Sequence, residues 1–357
     1  MKTEHILIIR FSALGDVAMA VPLVASLAKQ YPHIRITVLS RPFARPFFED
    51  LAPNVGFMAA DVRNEYHGVR GLNTLYRRLT AKRFTAVADL HNVLRSEYLR
   101  MRFNLGRYHV AHINKHRKGK RRLVRSKDKV MKQQPTSLQN YTDVLERLGY
   151  PVTIDFKSIF PAGGGDLTQL PAEFQERYTT THHPSPSTPW IGIAPFAAHE
   201  GKIYPTDRME RVIGLLTERH PDARIFLFGG GDDEHRVFEE WCQRYPTCVN
   251  ASKQLDGLRN ELVLMSHLHV MLSMDSGNMH MASLTGIPVV SIWGATHPYA
   301  GFMGYNQPAD RALGIDMPCR PCSIFGNKPC QRGDYACMKG IEPEQVVQKM
   351  ESLLPKE

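Results

Sequence analysis

Four short stretches of this chain combine Gly, Asp, Lys and His at spacings suited to phosphate and hydroxyl chemistry. In SALGDV, Gly15 permits a tight strand-to-helix turn and Asp16 stands at the helix start. A carboxylate there either faces a ligand or caps the helix, a role worth about 1 kcal/mol. In APFAAHEGKIYP a strand ends in a loop carrying Lys202 ahead of a Tyr-Pro pair. That lysine can neutralise a leaving diphosphate or, like most lysines, simply be solvated.

In FLFGGGDDE, Gly229, Gly230 and Gly231 let backbone approach a nucleotide, with Asp232 or Glu234 placed to accept ribose hydroxyls. The alternative is a left-handed turn capped by Asp232, and the spacing is not the GxGxxG fingerprint. In SMDSGNMHMASLTG a strand ends at Asp275, and Ser276, Gly277 and Asn278 open a helix. Exposed amides at a helix start attract a diphosphate, and His280 can donate to the same group or pack on the sheet.

Each stretch must be held by a strand end, and the surrounding pattern supplies the strands. HILIIR, IRITVLS and FTAVADLH read as strands separated by apolar-periodic helices, the first from about Val17 to Gln30. WIGIAPF, ARIFLFGGG, HVMLSMD and IPVVSIWG repeat the alternation later in the chain. Strands alternating with helices imply βαβ units and parallel sheets. The fold class is α/β, with two Rossmann-like domains facing a cleft, since ligands bind beyond the carboxyl ends of such strands. Thr179 to Pro189 combines three prolines with small polar residues and reads as the linker, so the domains are 1–185 and 186–341. The helix within 342–357 is expected to pack back on the first domain.

The 357 residues, 43% of them hydrophobic and 22% charged, suit two globular domains rather than a disordered chain. Apolar runs such as Ile287 to Ile292 fall far short of the roughly 20 residues of a membrane-spanning helix. The opening apolar run is broken by Arg10 and lacks a small-residue cleavage site, so it reads as a strand rather than a signal peptide, and the protein is expected in the cytoplasm. A net charge of +10 predicts attraction to polyanions.

SALGDV, the Lys-x-aromatic-Pro run and DSGNMHMAxxxGxPVVSIWGATHP together, in this order, resemble the signatures of glycosyltransferase family 9, the ADP-heptose:lipopolysaccharide heptosyltransferases. The likeness spans most of the chain. It implies GT-B architecture, a cytoplasmic enzyme of lipopolysaccharide core synthesis, an ADP-heptose donor, and a lipid A-linked inner-core acceptor. It also implies inversion at the anomeric carbon without a metal. Carried over by motif, Asp16 is the general base and Lys202 a catalytic cation. Gly15, Lys202, Gly229, Gly230, Asp232, Asp275, Ser276, Gly277, Asn278 and His280 serve the donor and its diphosphate. The chain departs from many members at Ala197 and Ala198, where hydroxyl residues are usual, so another nucleotide-sugar donor fits the same scaffold. A different GT-B enzyme, an epimerase, or a non-catalytic nucleotide-sugar-binding protein are the rival readings.

Between His112 and Lys129 lies a basic, poorly periodic run assigned to an exposed loop of the first domain. Arg117, Lys118, Lys120, Arg121 and Arg122 there suit the phosphates of the acceptor or the anionic inner face of the inner membrane. No aromatic interleaving or helix-turn-helix pattern supports nucleic-acid binding. Cys319, Cys322, Cys330 and Cys337 crowd into one Pro/Gly-rich loop, where thiolates can hold a structural zinc but free thiols or disulfides are equally open. No catalytic metal is assigned.

Overall fold

The structure is a computed structural model that describes residues 4–179, 184–185 and 188–355. Contacts divide the chain into two units: Met1–Lys115 with Pro135–Ile159, and His116–Gln134 with Phe160–Glu357.

Among the described residues the first unit carries five parallel strands: β1 (His5–Ile9), β2 (Arg35–Ser40), β3 (Val55–Ala59), β4 (Ala86–Asp89) and β5 (His109–His112), in the order β3-β2-β1-β4-β5. The central strand β1 is buried throughout, as a parallel strand covered on both faces by helices should be. The apolar run after β1, expected as one helix, is two: Leu14–Ala18 and Val21–Gln30. Pro22 falls in the first turn of the second, where a missing amide is tolerated, so the chain restarts there.

The second unit carries six parallel strands among the described residues: β6 (Trp190–Ala194), β7 (Arg224–Leu227), β8 (Cys248–Asn250), β9 (Val270–Met274), β10 (Val289–Ile292) and β11 (Ala312–Leu313). Their order is β11-β10-β9-β6-β7-β8. Ile191, Ile193, Leu227, Leu272 and Ile292 join Val212, Leu216 and Trp241 in its core.

Three placements differ from expectation. The units divide between Ile159 and Phe160 rather than near Ser185. Packing is the reason: Gly165 donates its N–H to Ser266 Oγ at 2.8 Å, His267 Nε2 lies 2.6 Å from the Gly165 carbonyl, and the ring of Phe174 meets that of Phe226. Most of the expected linker lies outside the described residues. The basic run 116–134 belongs to the second unit, not the first. It includes the helix Arg117–Leu123, and it is tied down where Lys120 Nζ sits 4.1 Å from the Phe302 ring centroid and Gln134 N–H donates to the Tyr299 carbonyl at 2.8 Å. The helix Pro343–Glu351 is likewise built into the second unit: Val346, Val347 and Met350 enter its core, and Glu351 pairs with Arg219 at 3.0 Å. Among the described residues no helix is long and apolar enough to cross a membrane.

Candidate functional site

In each sheet the chain first winds outward one way, then returns to the centre and winds the other way. The reversal lies between β1 and β4 in the first sheet and between β6 and β9 in the second. At such a switch point the loops leaving adjacent strand ends diverge and open a crevice. Asp16 follows β1, and Lys202 and Asp275 follow β6 and β9.

In the first unit Ala13, not Asp16, holds the cap position of helix Leu14–Ala18. The Asp16 carboxylate turns back over the helix start, accepting from Ala13 N–H at 3.4 Å and pairing with the Arg10 guanidinium. Asp16 keeps 36% of its side chain exposed whereas Arg10 keeps 8%, so a buried cation presents a reachable carboxylate. Arg10 is itself fixed by a 2.6 Å bond to the Leu90 carbonyl. Burial opposes its charge, but Asp16, Tyr141 and Asp89 outweigh that and hold its pKa above the ordinary value. Tyr141 lies beneath, donating its hydroxyl to the Asp16 carbonyl at 3.1 Å.

His91, from the loop after β4, places Nε2 3.5 Å from Ser12 Oγ. Burial first, then the Arg10 and Lys115 charges, pushes its pKa down to about 3, so the imidazole is neutral at physiological pH. Gly15 is buried in this unit beside Asp16; the other residues expected at the diphosphate belong to the second unit.

There, Lys202 ends a short turn, Glu200–Lys202, and its Nζ lies 2.9 Å from Asp275 Oδ2 with both side chains largely buried. Tyr204 sets this register: its hydroxyl donates to the Ile341 carbonyl at 2.6 Å, and its N–H meets Met274 Sδ at the end of β9. Ser276 caps helix Gly277–Leu284 by position only; its hydroxyl makes no cap bond and lies 3.2 Å from Ser273 Oγ. The first-turn amides of Gly277 and Asn278 thus keep their positive end beside Lys202's partner Asp275. His280 is buried at the end of that turn.

The glycine loop follows β7, next to β6. Gly231 adopts φ +101°, and a Cβ on Gly229 would run into the Glu234 carboxylate and the Phe238 ring. Both positions require glycine. Glu234 accepts from Gly230 N–H at 2.8 Å, and burial raises its pKa, so its carboxyl shapes the loop; Asp232 is exposed at the helix start. Behind the loop, Gly229 N–H donates to Ser252 Oγ at 3.1 Å, and Ser252 in turn bonds Glu261, whose pKa burial pushes up to about 7.

Arg117, Lys118, Arg121 and Arg122 are exposed on the second unit, and Lys120 covers Phe302. Cys319, Cys322, Cys330 and Cys337 are all free, and among the described residues no three His, Cys, Asp or Glu side chains stand as a ready ligand set. Arg10, Ser12, His91 and Glu261 escaped the sequence reading. A signal existed for Arg10, a charge ending a fully buried strand; His91 and Glu261 depend on contacts 80 or so residues away or on burial alone.

A family model described as glycosyltransferase family 9 (heptosyltransferase) matches residues 72–328. The chain is 27% identical to lipooligosaccharide heptosyltransferase 2 of Haemophilus ducreyi, over 98% of this chain and 99% of that one. A family 9 glycosyl transferase from Veillonella parvula superposes with TM-score 0.71 at 20% identity, covering 99% of this chain and 98% of that one. E. coli ADP-heptose lps heptosyltransferase II superposes with TM-score 0.67 at 17% identity, covering 98% of both chains. These likenesses give the fold as GT-B.

Proposed function

Because the chain belongs to glycosyltransferase family 9, the heptosyltransferases, we propose that it moves a heptose from an ADP-activated donor to a lipid A-linked inner-core saccharide, with inversion and without a catalytic metal. The observation that carries this reading is the Lys202–Asp275 pair at the switch point of the second sheet, beside an uncapped helix start. Lysine and helix amides together offer a diphosphate the positive potential that other transferases draw from a divalent ion.

The second unit holds the donor: Lys202 and the Gly277 and Asn278 amides take the diphosphate, and the glycine loop 229–231 receives the nucleoside. Asp275 acts through Lys202, fixing the ammonium while the site waits for an anion. The first unit serves the acceptor. Its hydroxyl oxygen attacks the anomeric carbon as Asp16 takes the hydroxyl proton; the bond from that carbon to the diphosphate oxygen breaks, and ADP leaves with the charge that Lys202 stabilises. Arg10 orients the carboxylate, and neutral His91 adds no competing charge beside it. The basic helix Arg117–Leu123 supplies cations for acceptor phosphates or for the inner face of the inner membrane, where a cytoplasmic enzyme would meet its acceptor.

The test is transfer from ADP-heptose to inner-core lipid A acceptors with and without a first heptose, in the presence of a chelator. Product of inverted anomeric configuration supports the reading. No product, with protection against unfolding by a different nucleotide sugar, would keep the fold and replace the donor.

A further inference from the structure

Behind the glycine loop the chain keeps a carboxyl group that the reaction as proposed does not use. Glu261 lies on the helix Gly257–Met265 and is 9% exposed, just ahead of the buried apolar residues Leu262, Val263, Leu264 and Met265. Burial first, then the Ser252 hydroxyl, acts on its carboxyl, and the net effect raises its pKa to about 7. Arg259, the one cation in the sequence of that helix, lies over the Phe160 ring instead, 5.2 Å from its centroid. A buried acid without a cation lowers stability, and an apolar residue here would simply extend the buried run that follows. The partner that Glu261 does have, Ser252, touches the loop.

Ser252 belongs to the short helix Ala251–Gln254 that follows β8, and its Oγ accepts the Gly229 N–H at 3.1 Å. A hydroxyl that accepts in that direction sends its own proton elsewhere, and the Glu261 carboxyl takes it. Ionised or neutral, a carboxyl keeps an oxygen that can accept, so the relay survives titration. The next amide of the loop, Gly230 N–H, is held by Glu234 at 2.8 Å. Two consecutive amides are thus fixed by two carboxyl groups, one directly and one through a hydroxyl, before Gly231 turns at φ +101° into the helix Asp232–Arg244. Glycine loses more freedom on ordering than any other residue, so three in a row hold one shape only where their backbone is tied.

On the reading that this loop receives the donor's nucleoside, we propose that Glu261 is a positioning residue: through Ser252 it holds the Gly229 amide, and with it the loop 229–231, in the shape that the nucleoside meets. Without the carboxyl, the Ser252 hydroxyl turns freely about its C–O bond and Gly229 loses its fixed acceptor. The loop must then be ordered at the moment of binding. The loss falls on nucleotide affinity rather than on the bond-breaking step, and so on KM rather than kcat. Glutamine offers a carbonyl oxygen at the same place and keeps the relay; leucine does not.

The full chain is compared with Ser252→Ala, Glu261→Leu, Glu261→Gln and the double variant Ser252→Ala/Glu261→Leu. ADP affinity is read by calorimetry, the donor KM and kcat by transfer assay, and folding by denaturant titration. ADP affinity should fall about 5- to 30-fold in Ser252→Ala and in Glu261→Leu, as for one lost hydrogen bond that leaves its partner unpaired. The donor KM should rise to match while kcat stays nearly unchanged. The double variant should bind no more weakly than either single one, and Glu261→Gln should bind as wild type does. ADP affinity at the wild-type level in a folded Glu261→Leu, losses that multiply in the double variant, or a Glu261→Gln as weak as Glu261→Leu each overturn the relay while the nucleoside reading stands. Should Glu261→Leu not fold, unchanged ADP affinity in Ser252→Ala overturns it alone. Failure of wild type to bind ADP overturns the nucleoside reading and the relay with it.

Discussion

Lys202 Nζ lies 2.9 Å from Asp275 Oδ2, and this contact joins the loops that leave β6 and β9 in opposite directions. Both side chains are largely buried, so the pair is poorly screened by salt. Lys202→Met should lower transfer by about 10²- to 10³-fold, the usual loss when one charge-stabilising group is removed. It should also lower stability by about 3–5 kcal/mol, since Asp275 is left buried and unmatched. Lys202→Arg should recover the stability and part of the rate. Steady-state kinetics with urea unfolding separates the two effects.

His91 makes acid stability a readout of the first unit. Folding moves its pKa from 6.5 to about 3, so between those values the unfolded chain takes up a proton that the native chain refuses. Its contribution is complete above pH 6.5 and is lost as pH falls toward 3. His91→Asn should flatten the fall in unfolding free energy across that window by a few kcal/mol, and leave the pH profile of transfer near pH 6.5 unchanged.

Glu261 acts with the opposite sign. Burial raises its pKa from 4.5 to about 7, so the native chain keeps a proton that the unfolded chain has released. That contribution is complete below pH 4.5 and lost as pH rises through 7. At pH 8, Glu261→Gln should be more stable than wild type by up to about 3 kcal/mol, and at pH 4 about equal to it, by denaturant titration.

Much of this architecture was legible in the sequence because the central strands are buried on both faces and read as unbroken apolar runs, as in β1, β6, β9 and β10. The strands that escaped, β3, β5, β8 and β11, stand at or next to sheet edges, where sequences such as His109–His112 and the two residues Ala312–Leu313 carry little periodic signal. The turns bearing Asp16, Lys202 and Asp275 could be read as candidates because each follows a buried strand of the alternating pattern, Asp275 directly after β9 and Asp16 and Lys202 in the segments after β1 and β6. What surrounds them was not legible. The Arg10–Asp16 pair, the Gly229–Ser252–Glu261 relay and the docking of residues 116–134 on the second unit all depend on which distant segments meet. The basic run looked like a loop of the first domain because its neighbours in sequence lie there.

The measurement that bears most directly on the account compares wild type with Asp16→Asn for ADP affinity, melting temperature and transfer from ADP-heptose. Asp16 takes only the acceptor proton, so the variant should bind ADP as wild type does and transfer about 10²- to 10⁴-fold more slowly, while remaining folded. Transfer at the wild-type rate by a folded Asp16→Asn would contradict the account and leave Asp16 a structural partner of Arg10.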